Sequence, residues 1–287
     1  MADYKIITDS CCDLPVDMIA SLDIHMISLN LHFRGETLKD SVTDEIKTVY
    51  DAWRAGEAAT TSAVNPQQWA EGIEPVLADG RDALVLTFSS GLSTTYQSAA
   101  IAAQELQEKY PQRKIRVVDG LCASLGQGLL VWYACKKRDA GMSVDELADW
   151  CENKKLHLCH WFTVDDLMYL KRGGRVSAAT ALVGTMLQIK PVLHVDDEGH
   201  LINVSKVRGR KASIEALAKK MGETALPGEN DTVFICHGDC IEDARYLEKL
   251  VKEKFGVKEV FIGYTGAVIG SHSGPGTRAL FFLGEHR

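Results

Sequence analysis

The 287-residue sequence lacks the features that mark membrane-inserted and secreted proteins. It contains no run of eighteen apolar residues, which argues against a membrane-spanning helix. Its opening, MADYKIITDS, begins directly on a strand-like run and lacks the charged and apolar regions of a signal peptide. The chain is therefore expected to be cytoplasmic, with no insertion into a membrane.

Basic residues are in short supply, with 32 lysines and arginines against 39 aspartates and glutamates and a formal net charge of −7. A general nucleic-acid binder needs a clustered positive surface that contacts phosphates. The charge balance therefore argues against nucleic acid as a partner. Hydrophobic residues make up 46% of the chain, which is ordinary for a globular protein of one large or two packed domains.

The eight cysteines lack the spacing of a disulfide framework or of a zinc site. Several of them lie in apolar runs, which favours reduced and buried side chains. The segment Cys236–Cys240 (CHGDC) brings two cysteines, a histidine and an aspartate together, but no second pair at ligand spacing accompanies it. No metal and no other cofactor is predicted.

Motifs of phosphoryl transfer and of serine hydrolases are also missing. The sequence contains no Walker A motif, no kinase glycine-rich loop and no cluster of metal-binding carboxylates. Asp165 and Asp166 are adjacent, and neighbouring helical residues point about 100° apart, so helix-start electrostatics explain them better than a catalytic pair. The GLSTT run around Ser93 does not match the G-x-S-x-G nucleophile elbow. No catalytic residue is assigned.

Short β-branched runs alternate with helical patterns through the first half of the chain. Strands that alternate with helices of about ten residues or more indicate βαβ units and a mainly parallel sheet. In the second half, two strand-like runs flank Asp196–Gly199, a turn cluster typical of a hairpin. The sequence thus predicts two α/β domains, residues 1–155 with a mainly parallel three-layer sheet and residues 156–287 with a mixed sheet. Ile24–Phe33 alternates well enough to be predicted as one strand.

Hydroxyl side chains collect in three loops that follow predicted strands. These loops are Thr8–Ser10, Thr60–Ser62 and Ser89–Thr95, and a helical pattern follows each. Ligands of open parallel sheets bind beyond the carboxyl ends of the strands, where helix N-termini offer N–H donors to an anion. Taken alone, each loop is better explained as an ordinary helix N-cap. Taken together, the three loops leave capping and a shared anion site equally open.

Basic residues nevertheless cluster in two segments of this acidic chain. Lys171, Arg172 and Arg175 flank two glycines after a helical pattern, and Lys206–Lys211 (KVRGRK) opens another helix. Arginine forks fit phosphate and carboxylate, so these segments suit an anion or a partner, while a basic helix C-cap explains the first equally well. Near the end, His272 lies among three glycines, where either a ligand contact or a tight surface turn fits.

Eight motifs, taken in chain order, resemble the DegV family. They are TDSCCDLP, TTSAVNP, SSGLSTTYQSA, DGLCASLGQG, YLKRGGRVS with a following IKPVL, KVRGRK, HGD and IGSHSGPGT. Any single motif is weak, but eight in order over nearly the whole chain are specific. The sequence is therefore identified as a member of this family of bacterial fatty-acid-binding proteins.

The resemblance implies two α/β domains that hold one long-chain fatty acid, such as palmitate, between them. The residues that match the family's carboxylate-binding positions are Thr61, with Ser62 beside it, Ser93 and His272. Those that match its partner-facing basic positions are Arg172 and Arg208. The partner implied is a separate ATP-dependent fatty acid kinase that converts the presented carboxylate to an acyl-phosphate. The chain itself would be a carrier and not an enzyme.

The chain departs from the family pattern at two places. Ala63 and Val64 stand where the family usually has Gln-Pro, and Cys11 and Cys12 stand where small hydroxyl residues are usual. These changes put the preferred chain length or the local shape in doubt, and not the carboxylate hydroxyls.

The sequence offers two candidate segments for the lining of the acyl tunnel. The aliphatic runs Ala178–Leu187 and Ile189–Leu193 are candidates, although either could be ordinary core. Two other functions also stay open. One is a lipid-sensing regulator with a different partner, and the other is a serine hydrolase or acyltransferase that uses Ser93 with His272.

Overall fold

Strands and helices alternate through the first part of the chain, as the sequence predicts. The computed structural model describes residues 3–42, 45–177 and 188–287. The elements of the first part are β1 (Tyr4–Asp9), α1 (Val16–Ser21), β2 (Ile24–Ile27), β3 (Asn30–Phe33), β4 (Glu36–Lys39), α2 (Ile46–Arg54), β5 (Thr60–Ser62), α3 (Pro66–Ala78), β6 (Asp82–Thr87), α4 (Thr95–Lys109), β7 (Ile115–Asp119), α5 (Leu125–Asp139) and α6 (Val144–Lys154).

The second part builds the other main sheet and the helices that cover it. Its elements are β8 (Leu158–Thr163), α7 (Leu167–Arg172), β9 (Ile189–Val195), β10 (Leu201–Arg208), α8 (Arg210–Thr224), β11 (Thr232–His237), α9 (Ile241–Phe255), β12 (Glu259–Tyr264), α10 (Ala267–Ser273) and β13 (Arg278–Leu283). No helix in these described ranges combines the length and the apolar character needed to span a bilayer. The division of the chain at residue 155 stays a prediction.

The first sheet is parallel and covered on both faces, which confirms the predicted three-layer arrangement. Its strand order is β2-β1-β6-β7, and every pair is parallel. Because side chains alternate along a strand, Ile6 packs in one core with α5 and α6, while Ile7 packs in another with α3 and α4. A capping box between Asn65 and Gln68 starts α3, and Pro66 at the first helical position reinforces that start.

The second sheet is mixed, also as predicted. Its order is β10-β9-β8-β13-β11-β12, and only β11 and β12 pair in parallel. The hairpin of β9 and β10 forms around the predicted turn Asp196–Gly199. One face of this sheet packs on α8 and α9, and the other packs on α5. A side chain at Gly126 of α5 would overlap the imidazole of His160, so this glycine permits the close approach of the two halves.

The prediction of one strand over Ile24–Phe33 is wrong. The segment divides at residues 28–29, so that β2 joins the parallel sheet and β3 joins a small antiparallel sheet of order β4-β3-β5. At the division, the N–H of Leu29 donates to Ser10 Oγ at 3.0 Å instead of to a neighbouring strand. Alternation reports which side chains share a face, and it does not report which sheet a strand joins.

Candidate functional site

A cavity of about 460 Å³ is lined by residues of both halves of the chain. A volume of this size is typical of small-molecule sites, which are mostly apolar with a few placed polar groups. The apolar side chains in its wall are Leu29, Ala63, Phe88, Leu92, Ala123, Phe162, Leu170, Val195, Leu201, Val268, Ile269, Ala279 and Phe281. The wall therefore suits a ligand with a long hydrocarbon portion.

Three of the predicted site residues line this cavity from three different elements. Thr61 lies on β5, Ser93 lies in the loop between β6 and α4, and His272 lies on α10. Thr61 Oγ1 and His272 Nε2 are 2.9 Å apart and form a hydrogen bond between the two halves of the chain. Ser93 Oγ is 2.8 Å from Thr95 Oγ1 and accepts the N–H of Thr95 at the start of α4. The structure thus brings Thr61, Ser93 and His272 to one wall.

Ser62 does not reach this wall. Its Oγ lies 3.1 Å from His32 Nε2 and 3.4 Å from Asn30 Nδ2, both on the adjacent strand β3. Thr61 and Ser62 are consecutive in β5, and consecutive side chains of a strand point to opposite faces. The expectation that Ser62 shares the carboxylate with Thr61 is therefore wrong for geometric reasons.

His272 is held neutral by its surroundings. Burial, followed by the positive charge of Arg175, lowers the pKa of His272 to about 4. The ring packs so closely on the loop after α7 that any side chain at Gly173 would overlap its Nδ1. The imidazole is therefore a fixed, uncharged hydrogen-bonding group at neutral pH.

Arg175 is a site residue that the sequence prediction passed over in favour of Arg172. Its half-buried side chain lines the cavity, and its Nε donates to the carbonyl of Leu92, next to Ser93. It forms no ion pair with an acid in the described part of the chain. Burial lowers the pKa of its guanidinium. The sequence signal was the last cation of the KRGGR run, where Gly174 with its positive φ allows the chain to turn back towards the cavity.

Arg172 and Arg208 lie outside the cavity wall and are exposed. Arg172 borders a second hollow of about 310 Å³ that also includes Thr61, Arg175 and His272, so the hollow adjoins the polar part of the cavity. The guanidinium of Arg172 lies 4.5 Å above the ring of Tyr169. The partner-facing role of both arginines stays a prediction.

The predicted tunnel lining is only partly addressed by the structure. None of Ile189–Leu193 lines the cavity: Val192 is buried in the core of the second half, and Leu193 is buried in the core that both halves share. Of the two alternatives for this run, the structure therefore shows ordinary core. The run Ala178–Leu187 lies outside the described residues.

The matches to known proteins agree with this geometry. The DegV family model, whose description calls the proteins uncharacterised, matches residues 3–285. The DegV domain-containing protein CPE0026 of Clostridium perfringens is 44% identical over 99% of each chain. The chain belongs to the DegV family.

Two solved structures share this DegV fold over nearly the whole chain. A DegV family protein from Thermus thermophilus, described by its fatty acid binding, is 31% identical with a TM-score of 0.87 over 98% of this chain and 99% of that one. The fatty acid kinase (Fak) B3 protein of Streptococcus pneumoniae, loaded with linoleic acid, is 22% identical with a TM-score of 0.85 over 99% and 100%. The second comparison shows the fold alone.

Ser93 and His272 of this DegV chain do not form a hydrolase dyad. His272 Nε2 bonds Thr61, and Ser93 Oγ bonds Thr95. A general base must lie within hydrogen-bond reach of the nucleophile that it activates. The arrangement favours holding a ligand over attacking one.

Asp40 ties α10, the helix of His272, to the first half of this DegV chain. Its buried Oδ1 accepts the N–H of Val268 at 3.1 Å, and burial raises its pKa from 3.8 to about 6. The folded protein therefore holds this proton up to about pH 6, whereas the unfolded chain releases it near pH 4. The associated stability is complete below about pH 4 and is lost as the pH rises to about 6.

Asp40→Asn is expected to remove this contribution, on the order of 3 kcal/mol for about two pKa units. The difference between the free energies of unfolding at about pH 4.5 and about pH 7 should shrink by that order, because asparagine does not titrate. The pH dependence that remains comes in part from Asp9 and Asp13, two buried carboxyls whose pKa values are also raised. Urea unfolding at both pH values measures it, with exposed Asp17→Asn as the control. An unchanged pH dependence in Asp40→Asn would contradict the assignment.

Proposed function

We propose that this DegV protein binds one long-chain fatty acid, with the carboxylate at Thr61, Ser93 and His272 and the hydrocarbon tail in the apolar cavity. The observation that carries the proposal is one cavity that combines a largely apolar wall with these hydrogen-bonding groups and an arginine that pairs with no acid of the described residues. The fatty acid binding described for the Thermus thermophilus relative, at 31% identity, supports it.

The tail supplies most of the affinity in this proposal. A chain such as that of palmitate buries on the order of fourteen methylenes, worth about 11 kcal/mol at roughly 0.8 kcal/mol each. Lost translational freedom and chain ordering offset a large part of this gain. Some polar groups of the wall are already hydrogen-bonded within the protein. His160, for example, bonds the carbonyl of Leu158 through Nδ1 and the N–H of Ala123 through Nε2.

The headgroup residues fix the orientation of the acid. In the neutral tautomer with a proton on Nε2, His272 donates to Thr61 Oγ1, which leaves the Thr61 hydroxyl proton for a carboxylate oxygen. Ser93 offers a second hydroxyl. Arg175 balances the negative charge from the side of the Leu92 carbonyl. A carboxylate held mainly by neutral donors keeps its nucleophilic oxygen available.

The direct test is extraction of lipid from the purified protein, followed by mass spectrometry. We expect about one long-chain fatty acid per chain, and palmitate added to delipidated protein should be retained in the same ratio. Repeated preparations that neither carry nor take up a fatty acid would refute the proposal.

We further propose that the bound carboxylate is presented to a separate ATP-dependent kinase. The kinase transfers the γ-phosphate of ATP to a carboxylate oxygen and releases ADP, so the product is an acyl-phosphate held by this chain. The hollow beside Thr61 and His272, with exposed Arg172 at its edge, provides the approach. This protein therefore acts as the carrier, and the phosphoryl chemistry belongs to the partner.

Arg172→Ala is expected to leave palmitate affinity within about twofold while lowering acyl-phosphate formation with a purified fatty acid kinase about tenfold or more, since charge pairs across an interface govern encounter and docking. The measurement pairs a palmitate titration with quantification of acyl-phosphate. Lys171→Ala, an exposed neighbouring cation, is the matched control. Equal loss of lipid binding and phosphorylation would contradict the division of roles.

A further inference from the structure

Ser273 has a buried hydroxyl that makes no hydrogen bond to any described residue of the chain. It is the last residue of α10, directly after His272, and its side chain is 5% exposed. It lines the cavity, and its Oγ has no hydrogen-bond partner in the described part of the chain. Buried polar atoms are nearly always hydrogen-bonded, so an exception at a binding cavity points to a partner that arrives with the ligand.

Among the described residues, the other two buried hydroxyls of the cavity wall are both hydrogen-bonded within the protein. Thr277 Oγ1 donates to the carbonyls of Ser273 and Gly274, and Ser124 Oγ donates to Asp13. Ser271, two residues before Ser273 on the same helix, donates to the carbonyl of Val268 at 2.8 Å. Ser273 does not follow this common helical pattern. Its hydroxyl proton is therefore available.

Ser273 directly follows His272 and lines the same cavity as Thr61 and Ser93. His272 Nε2 bonds Thr61, so the C-terminal end of α10 meets the polar part of the cavity. Earlier in the helix, Val268 and Ile269 contribute apolar wall. Rotation of a serine about χ1 between staggered wells redirects Oγ without moving the backbone. A carboxylate has two oxygens with about four acceptor positions, which is enough for a donor beyond Thr61 and Ser93.

We propose that Ser273 is a further headgroup-binding residue, whose hydroxyl donates to the carboxylate of the bound fatty acid. This inference rests on the proposed function and extends it. Thr61 and Ser93 contact the headgroup from the first half of the chain, and Ser273 contacts it from the second. The ligand headgroup consequently fastens α10 to the first half.

The test compares Ser273→Ala and Ser273→Thr with the unmodified protein, using palmitate and hexadecanol, which has the same chain without a carboxylate. Ser273→Ala should weaken palmitate binding about tenfold to a hundredfold, the range for a hydrogen bond to a charged group, and change hexadecanol binding less than about threefold. Ser273→Thr keeps the hydroxyl and should restore most of the palmitate affinity. Ser271→Ala is the matched control from the same helix and should bind palmitate normally.

Thermal unfolding separates a role in binding from a role in folding. Because Ser273→Ala removes an unsatisfied buried group, the delipidated variant should unfold at the same temperature or higher, while palmitate should raise that temperature less than in the unmodified protein. Unchanged palmitate affinity in Ser273→Ala, or equal weakening of palmitate and hexadecanol, would overturn the inference while leaving the proposed function intact. Failure of the unmodified protein to bind palmitate would overturn both.

Discussion

Replacing Thr61 with valine and Ser93 with alanine in one protein should lower its affinity for palmitate by a factor of about a hundred or more. Each hydrogen bond to a charged group contributes roughly 1.5–3 kcal/mol, and two are lost. Valine retains the shape of threonine, so the change at position 61 removes the hydroxyl group and hardly changes the volume of the side chain. Thr61 also bonds His272, and the loss of that contact loosens the link between the two halves.

Displacement of a fluorescent fatty acid measures this effect. Ser62→Ala is the matched control, because Ser62 follows Thr61 in the same strand but bonds His32 and Asn30 on the other face. Its palmitate affinity should be unchanged. Since Ser93 also accepts the N–H of Thr95, unfolding of each single variant is recorded to show that α4 still forms. A double variant that binds palmitate within about threefold of the unmodified protein would rule out Thr61 and Ser93 as carboxylate ligands.

The second large effect is expected from filling the cavity. Ala279 lies on β13, is 4% exposed and lines the cavity between Phe162 on β8 and Cys236 on β11. In Ala279→Phe the ring occupies space that the acyl chain would use. Exclusion of about five methylenes at roughly 0.8 kcal/mol each weakens palmitate binding by about a thousandfold.

Stability distinguishes this blockade from misfolding. A ring that fills an apolar cavity gains dispersion contacts, so delipidated Ala279→Phe should unfold at the same urea concentration as the unmodified protein or at a higher one. Phe281→Ala makes the opposite change in the same strand and should shift the extracted lipids towards longer chains. Normal palmitate binding by Ala279→Phe would show that the tail lies elsewhere.

The sequence predicted the fold well where periodicity and turn chemistry agreed. Alternating strands and helices located the parallel sheet, and Asp196–Gly199 located the hairpin of the mixed sheet. The transfer from β2 to β3 escaped prediction because it depends on a long-range bond from Leu29 to Ser10. No strand was predicted for β13, which follows a glycine-rich segment, although its six residues are all buried.

The site was predictable as a set of motifs and less so as a geometry. The motifs named Thr61, Ser93 and His272, and the structure places all three at one cavity. The period of a strand would have separated Thr61 from Ser62, had β5 been recognised as a strand. The sequence could not show which of Arg172 and Arg175 lines the cavity, because that depends on the direction of the chain after Gly173 and Gly174 in the folded loop. The role proposed for Ser273 could not be predicted from the sequence, because it depends on which buried hydroxyls find a hydrogen-bond partner in the folded chain.

The central claim is that the carboxylate lies at Thr61, Ser93 and His272 while the tail extends into the apolar part of the cavity. A crystal structure with bound ω-bromopalmitic acid tests both ends of the ligand at once, because anomalous scattering locates the bromine. We predict the carboxylate within hydrogen-bond distance of Thr61 and Ser93 and the bromine inside the apolar wall. A bromine at the protein surface, or a carboxylate remote from both hydroxyls, would contradict the account.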